Sequence, residues 1–177
     1  GWLYTGIGLI WKNARTRHSL SLEIGVVGPW ALAHETQDFV HDLTGADKAQ
    51  GWDHQLENEF GAVLAYERIW RFPLQTSRSG FDWEVLPFAG AMAGNINISA
   101  KAGAELRAGW NLPDDFGTAT IDSTATTSTP MEGAQRARRS GFADVGAHVF
   151  VRGEGRAVAH NIFLDGNTFA DSHSVDR

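Results

Sequence analysis

No cysteine occurs among the 177 residues, which excludes a disulfide framework and a thiolate zinc site. That absence suits the cytosol and equally the envelope of a Gram-negative cell, where stray thiols are oxidised in transit. A run of about 18 apolar residues is also missing, so no transmembrane helix can form. A transmembrane β-barrel stays open, because its strands need only about 9 to 11 alternating residues and leave a chain looking soluble. The mean hydropathy of −0.25 therefore decides nothing. Positive charge is scarce: 15 Lys and Arg face 21 Asp and Glu, a net charge of −6. Neutralising phosphates takes a basic surplus on some face, so nucleic-acid binding is not expected. The basic cluster Arg136, Arg138 and Arg139 is short and falls in a predicted loop. An initiating Met and a signal peptide are lacking too, as in a piece cut from a longer protein, so missing targeting signals do not argue for the cytosol.

What the chain does have is 20 Gly, 7 Trp and 10 Phe among strand-like runs, the mark of an aromatic-rich β protein, and nothing marks a linker or a second domain. Residues 18–26 alternate with period two: Leu20, Leu22, Ile24 and Val26 point one way, Ser19, Ser21, Glu23 and Gly25 the other. Residues 3–11 alternate less strictly and form a hairpin with them across the polar stretch 12–17. Further strands are predicted over 60–72, 81–93 and 98–110. In the last, Lys101, Gly103, Glu105 and Arg107 oppose Ala102, Ala104, Leu106 and Ala108, as a wet lumen would require. Residues 111–140 read as a long exposed loop. Strands 141–151 and 157–164 are expected to form a hairpin across the turn Gly153-Glu154-Gly155-Arg156, and Asp165-Gly166-Asn167 reads as another turn. The total is about seven strands, each antiparallel to the next, without helical crossovers.

Between the second and third strands lies a different element. After the Gly28-Pro29 break, residues 34–43 place His34, Gln37, Asp38 and His41 in one arc, and Thr36, Phe39, Val40 and Leu43 opposite, with Gly45 as the stop. A helix this short is marginal alone in water, so its apolar side is expected to dock on the barrel or on a lipid surface. His, Gln and Asp on a surface helix often serve solubility alone, and Trp52 reads first as an interfacial anchor.

Three blocks then suggest a family. Val27-Gly28-Pro29, Gln37, His41, Gly51-Trp52, Gln55-Leu56 and Asn58-Glu59 resemble the LpxR-type outer-membrane lipid A deacylases. So do Gly94-Asn95, Gly103, Leu106-Arg107, Asn111-Leu112-Pro113 and Asp115-Phe116-Gly117, and the run from Asn161 to Phe169 with Asp171-Ser172-His173. The resemblance runs the length of the chain. It implies an all-β fold, an antiparallel up-and-down transmembrane β-barrel of about 12 strands with a short helix in an extracellular loop, of which this chain holds about seven. It further implies residence in the Gram-negative outer membrane and Ca²⁺-dependent hydrolysis of the 3′-linked acyloxyacyl ester of lipid A in lipopolysaccharide. By that likeness His41 is the general base, Gln37 supports it, and Asp47 stands where an acidic Ca²⁺ ligand belongs. Other metal-site residues and a substrate-contacting basic pair would precede Gly1.

The chemistry is coherent on its own terms. Ester hydrolysis needs a base with a pKa near ambient pH and a positive centre for the developing oxyanion. An imidazole meets the first need and a carboxylate-bound Ca²⁺ the second. Six positions separate His41 from Asp47 across Gly45, close enough for the carboxylate to fold back towards the imidazole. The rival reading is a porin-like or structural barrel, which accounts for the strands but not for the helical insert. A serine esterase using Ser172 and His173 is disfavoured, since neighbours on a strand point to opposite faces. Asp114-Asp115 reads as an acidic loop tip rather than a cation site.

Overall fold

The computed structural model describes residues 1–75, 80–118, 146–172 and 174. Its strands are β1 (Trp2–Lys12), β2 (Thr16–Val27), β3 (Glu59–Trp70), β4 (Phe72–Gln75), β5 (Phe81–Gly94), β6 (Asn97–Trp110) and β7 (Ala147–Asn161). They make one seven-stranded antiparallel sheet in the order β1-β2-β3-β5-β6-β7, with β4 prolonging β3 alongside β5. The sheet is not closed: β1 and β7 are its two edges. No described helix is long and apolar enough to cross a membrane.

Alternation decides which way each strand faces. Leu20, Leu22, Ile24 and Val26 share the outward face with Leu3, Ile7, Leu64 and Ala93, to which the register joins them. Val63, Ala65, Ile69, Leu86, Phe88, Glu84, Lys101, Glu105 and Arg107 lie on the other face and are buried. A single layer with no helix stacked on it buries one face by curling, as an arc of a barrel does.

Much of the charge on the inner face is paired. Lys101 pairs with Glu67 at 2.8 Å, Arg107 with Glu84 and with Asp115 at 2.7 Å, and Arg71 with Glu84 at 2.6 Å and with Asp114. The strands thus contribute opposite charges at matching heights, which permits burial. Two small apolar clusters flank these pairs: Val27, Val63, Ile96 and Ile162 at one end, and Ile69, Leu86, Phe88 and Phe116 towards the other.

Seven is the expected count, but the divisions differ in three places. Residues 147–161 form one unbroken strand, with Gly153, Glu154, Gly155 and Arg156 paired to Ala104, Gly103, Ala102 and Lys101, so there is no hairpin. The glycine-rich turn signal gives way because β6 needs a partner along its whole length. Residues 162–165, expected to continue a strand, form the single helical turn α2 (Ile162–Asp165). Conversely, the strand expected over 60–72 breaks at Arg71, whose N–H bonds to the Arg15 carbonyl at 2.8 Å. Pro73, which has no N–H to donate, sits at the irregular step of β4.

The start of the long loop is also packed rather than exposed. Leu112, Asp115 and Phe116 are buried, and Asp114 and Asp115 are ion-pair partners of Arg71 and Arg107 rather than a free acidic tip. This loop leaves the far end of the sheet, opposite the end that carries the helical insert. Residues 76–79, 119–145, 173 and 175–177, including the basic cluster and His173, lie outside the described residues.

Candidate active site at the helix end of the sheet

The chain leaves β2 at Val27 and returns to β3 at Glu59, and the 28–58 excursion carries the predicted site. Gly28 has φ +86, a left-handed conformation that favours glycine, and an added Cβ would lie 2.6 Å from the Glu57 carbonyl. Pro29 then opens a 3-10 turn, Pro29–Ala31, and Leu32 with φ 55 redirects the chain into α1 (Ala33–Thr44). Gly45 ends α1 in the left-handed conformation, as its place in the sequence predicts. The helix is one residue longer at each end than expected.

The two sides of α1 are disposed unlike a helix docked on its own protein. Its polar side is half-buried: Gln37, Asp38 and His41 face the returning strap of residues 46–52. Lys48 reaches Asp38 and Asp42, both at 3.4 Å, and Trp52 stacks on His34 with centroids 5.0 Å apart. The bonds that Lys48 donates to Asp42 and Asp38 hold its ammonium above the usual lysine range. The apolar side is bare. Phe39 is 68% and Leu43 76% exposed, and α1 buries no residue at all. Among the described residues, no part of the sheet covers this apolar side.

His41 sits one turn beyond Gln37, whose amide nitrogen stands 3.5 Å from His41 Nε2. His41 Nδ1 bonds to the main-chain carbonyl of Asp47. Asp47 is thus brought to the ring, through its carbonyl rather than its carboxylate. A carbonyl only accepts, so Nδ1 carries the proton and Nε2 keeps its lone pair in the neutral ring. The Gln37 amide is too distant to hold that lone pair strongly. What results is an imidazole fixed in the tautomer that can take a proton from water.

Other residues in the family-like blocks fix this excursion in place. Asn58 Oδ1 accepts from the Trp30 N–H at 2.7 Å, tying the outgoing limb to the returning one. The buried Glu59 carboxylate accepts from the Asn95 and Asn167 side chains at 2.8 and 3.1 Å, and from the N–H groups of Thr168 and Phe169 at 3.0 and 3.1 Å. Asn95 also bridges β3, taking the Ala62 N–H at 2.8 Å and donating to the Phe60 carbonyl at 2.7 Å. Sequence reading treats Asp165-Gly166-Asn167 as a turn and misses this role. The available signal was that Asn58-Glu59, Gly94-Asn95 and Asn167 all fall in blocks resembling one family.

Ser172, the serine of the rival pair, accepts from the Asn167 N–H at 2.7 Å. Among the described residues no group of three or more His, Cys, Asp or Glu is arranged to hold a metal ion.

An antiparallel sheet with an apolar outward face, a largely paired charged inner face and a helix-bearing loop at one rim is the pattern of an outer-membrane β-barrel protein. The chain belongs to the family described as Outer membrane protein LpxR, whose model matches residues 1–177. Among solved structures it is similar to LpxR from Salmonella typhimurium, with a TM-score of 0.70 and 25% sequence identity, over 93% of this chain and 52% of that one. The chain therefore spans about half the length of that relative. A search of curated proteins finds no match. The outer-membrane location expected from the sequence follows from the family.

Proposed function

We propose that the protein of which these residues are part hydrolyses the 3′-linked acyloxyacyl ester of lipid A, with His41 as the general base and water as the nucleophile. The observation that carries this reading is the His41 ring, held by the Asp47 carbonyl with Nε2 free to accept a proton. It stands at the membrane rim of a chain in the LpxR family. Gln37, one turn away, orients the ring or the water beside it. Proton removal by a positioned side chain contributes about 10²–10⁴-fold to rate.

Calcium belongs to the proposal with a restriction. A Ca²⁺ ion takes about six to eight oxygen ligands, and among the described residues no group of three or more His, Cys, Asp or Glu comes together to supply its side-chain ligands. By themselves they do not complete a carboxylate cluster for the ion. Asp47 is proposed as one carboxylate ligand of a site that other groups would complete. The porin-like alternative does not account for the helical insert that carries His41.

Mass spectrometry of lipid A from cells expressing the full-length protein tests the reading. The parent protein should release the 3′-linked acyl group. His41→Ala should abolish release while the barrel remains folded by its heat-dependent shift on gels. Undiminished release by His41→Ala would sink the assignment.

A further inference from the structure

The outward face of the sheet carries its own ruler. Trp11, Trp70, Trp83 and Trp110 all point outward near the far end, as the register and alternation require. Such rows mark a membrane interface. From Trp70 back to Phe60, the outward residue at the opposite end of β3, is ten residues. At about 3.3 Å per residue and a tilt of about 40°, this climbs roughly 25 Å, the height of an outer-membrane apolar band. Phe60 therefore lies at the upper boundary of that band.

Trp30 packs on Phe60 with ring centroids 5.8 Å apart, so the excursion departs from the sheet at that boundary. Trp30, Leu32, Phe39, Val40 and Leu43 are all exposed apolar side chains, and Trp30 joins the outward face of the sheet at Phe60 three residues before α1 begins. The opposite side of α1 is occupied by the Asp38, Asp42 and Lys48 cluster. A short helix with one bare apolar side, beginning at the edge of a lipid belt, has the features of an interfacial amphipathic helix.

We infer that α1 lies in the outer surface of the membrane with Phe39, Val40 and Leu43 among the acyl chains of the outer leaflet. The occupant of the bare face is lipid, because the helix begins three residues after Trp30, at the edge of the lipid-facing wall, and its apolar side chains are exposed rather than covered by a described element. The depth is about 5–10 Å, as for other helices of this kind. This inference does not rest on the catalytic reading, since the depth of the helix can be measured whether or not an ester is cleaved.

The test is site-directed spin labelling of the full-length protein in phospholipid vesicles. These 177 residues hold no cysteine, so one introduced thiol is unique among them, and any thiol elsewhere is changed to alanine. Labels go at Phe39→Cys and Leu43→Cys, with Leu22→Cys as the lipid-facing reference and Gln50→Cys as the aqueous one. Collision with oxygen relative to a water-soluble nickel chelate should be several-fold higher at 39 and 43 than at 50, and close to that at 22. Val40→Cys replaces either variant that does not fold. Nickel-accessible labels at 39 and 43 would overturn the inference, and so would labels shielded from both reagents, which would mean protein cover.

Discussion

Asn167 and Glu57, 110 residues apart in sequence, hold each other by a reciprocal pair of hydrogen bonds. Asn167 Oδ1 accepts the Glu57 N–H at 2.9 Å, and Nδ2 donates to the Glu57 carbonyl at 2.9 Å. The side-chain amide thus serves as a short piece of strand, clamping the returning limb of the excursion that carries His41. Its Nδ2 also reaches Glu59, so both orphanable groups on the limb and the buried carboxylate depend on it.

Asn167→Ala should therefore loosen residues 28–58 with little effect on the sheet. Each lost bond costs about 1 kcal/mol, for a local total of about 1–3 kcal/mol. Hydrogen exchange should show faster amides in the excursion and unchanged protection in β5 and β6. If activity is present, kcat should fall more than KM changes. Uniform loss of protection across all strands would show a general folding role instead.

Gly28→Ala forces a side chain onto a residue with φ +86 and against the Glu57 carbonyl. The strain is about 1–3 kcal/mol. Because the crowded partner is main chain, the limb itself must move. We expect a folded barrel by gel shift and a displaced α1, read as altered fluorescence of a probe at Gln50→Cys.

Asp47 offers a way to separate metal binding from ring positioning. The ring meets its main-chain carbonyl, so Asp47→Ala should keep the His41 hydrogen bond and the pH dependence of activity. If its carboxylate is a Ca²⁺ ligand, half-maximal activity should need about tenfold or more additional calcium, on the scale of losing a charged ligand. An unchanged calcium requirement would remove Asp47 from the metal site.

Arg107 is fully buried and paired with Glu84 and Asp115. Arg107→Ala leaves two carboxylates without that partner, a loss of about 3–5 kcal/mol for a broken buried pair. A clear drop in the unfolding temperature in detergent is expected. Arg71 and Arg107 bond to different oxygens of Glu84, so Glu84→Gln keeps an acceptor for only one of them; its cost should still be the smaller, because each arginine retains a second carboxylate, Asp114 or Asp115.

Much of this architecture is legible in the sequence because it is periodic. The alternation of Leu20, Leu22 and Ile24 with Ser21 and Glu23 places β2 and its outward face, and the 100° arc of Gln37 and His41 places α1. Local turn chemistry misleads where a long-range ladder competes with it. Gly153 and Gly155 look like a hairpin until β6 is seen to need a partner at that height. Burial of charge is also hidden, since Asp115 is read as a loop tip until Arg107 appears opposite it. The site is half legible. Helix phase puts His41 beside Gln37, whereas the His41 ring contact and the Asn167 side-chain clamp both end on main-chain atoms, of Asp47 and Glu57, which no pattern of side-chain types encodes.

Asn95 has one more effect. Beyond the Val63–Gly94 pairing, β5 no longer runs beside β3, and the Asn95 side chain engages the Ala62 N–H and Phe60 carbonyl that would otherwise lie bare. Such groups are costly next to hydrocarbon and adhesive towards any passing extended segment. With both taken, the lip beneath the helix offers nothing at those positions for a crowded neighbour to zip onto, and one amide insulates the rim against unwanted clustering.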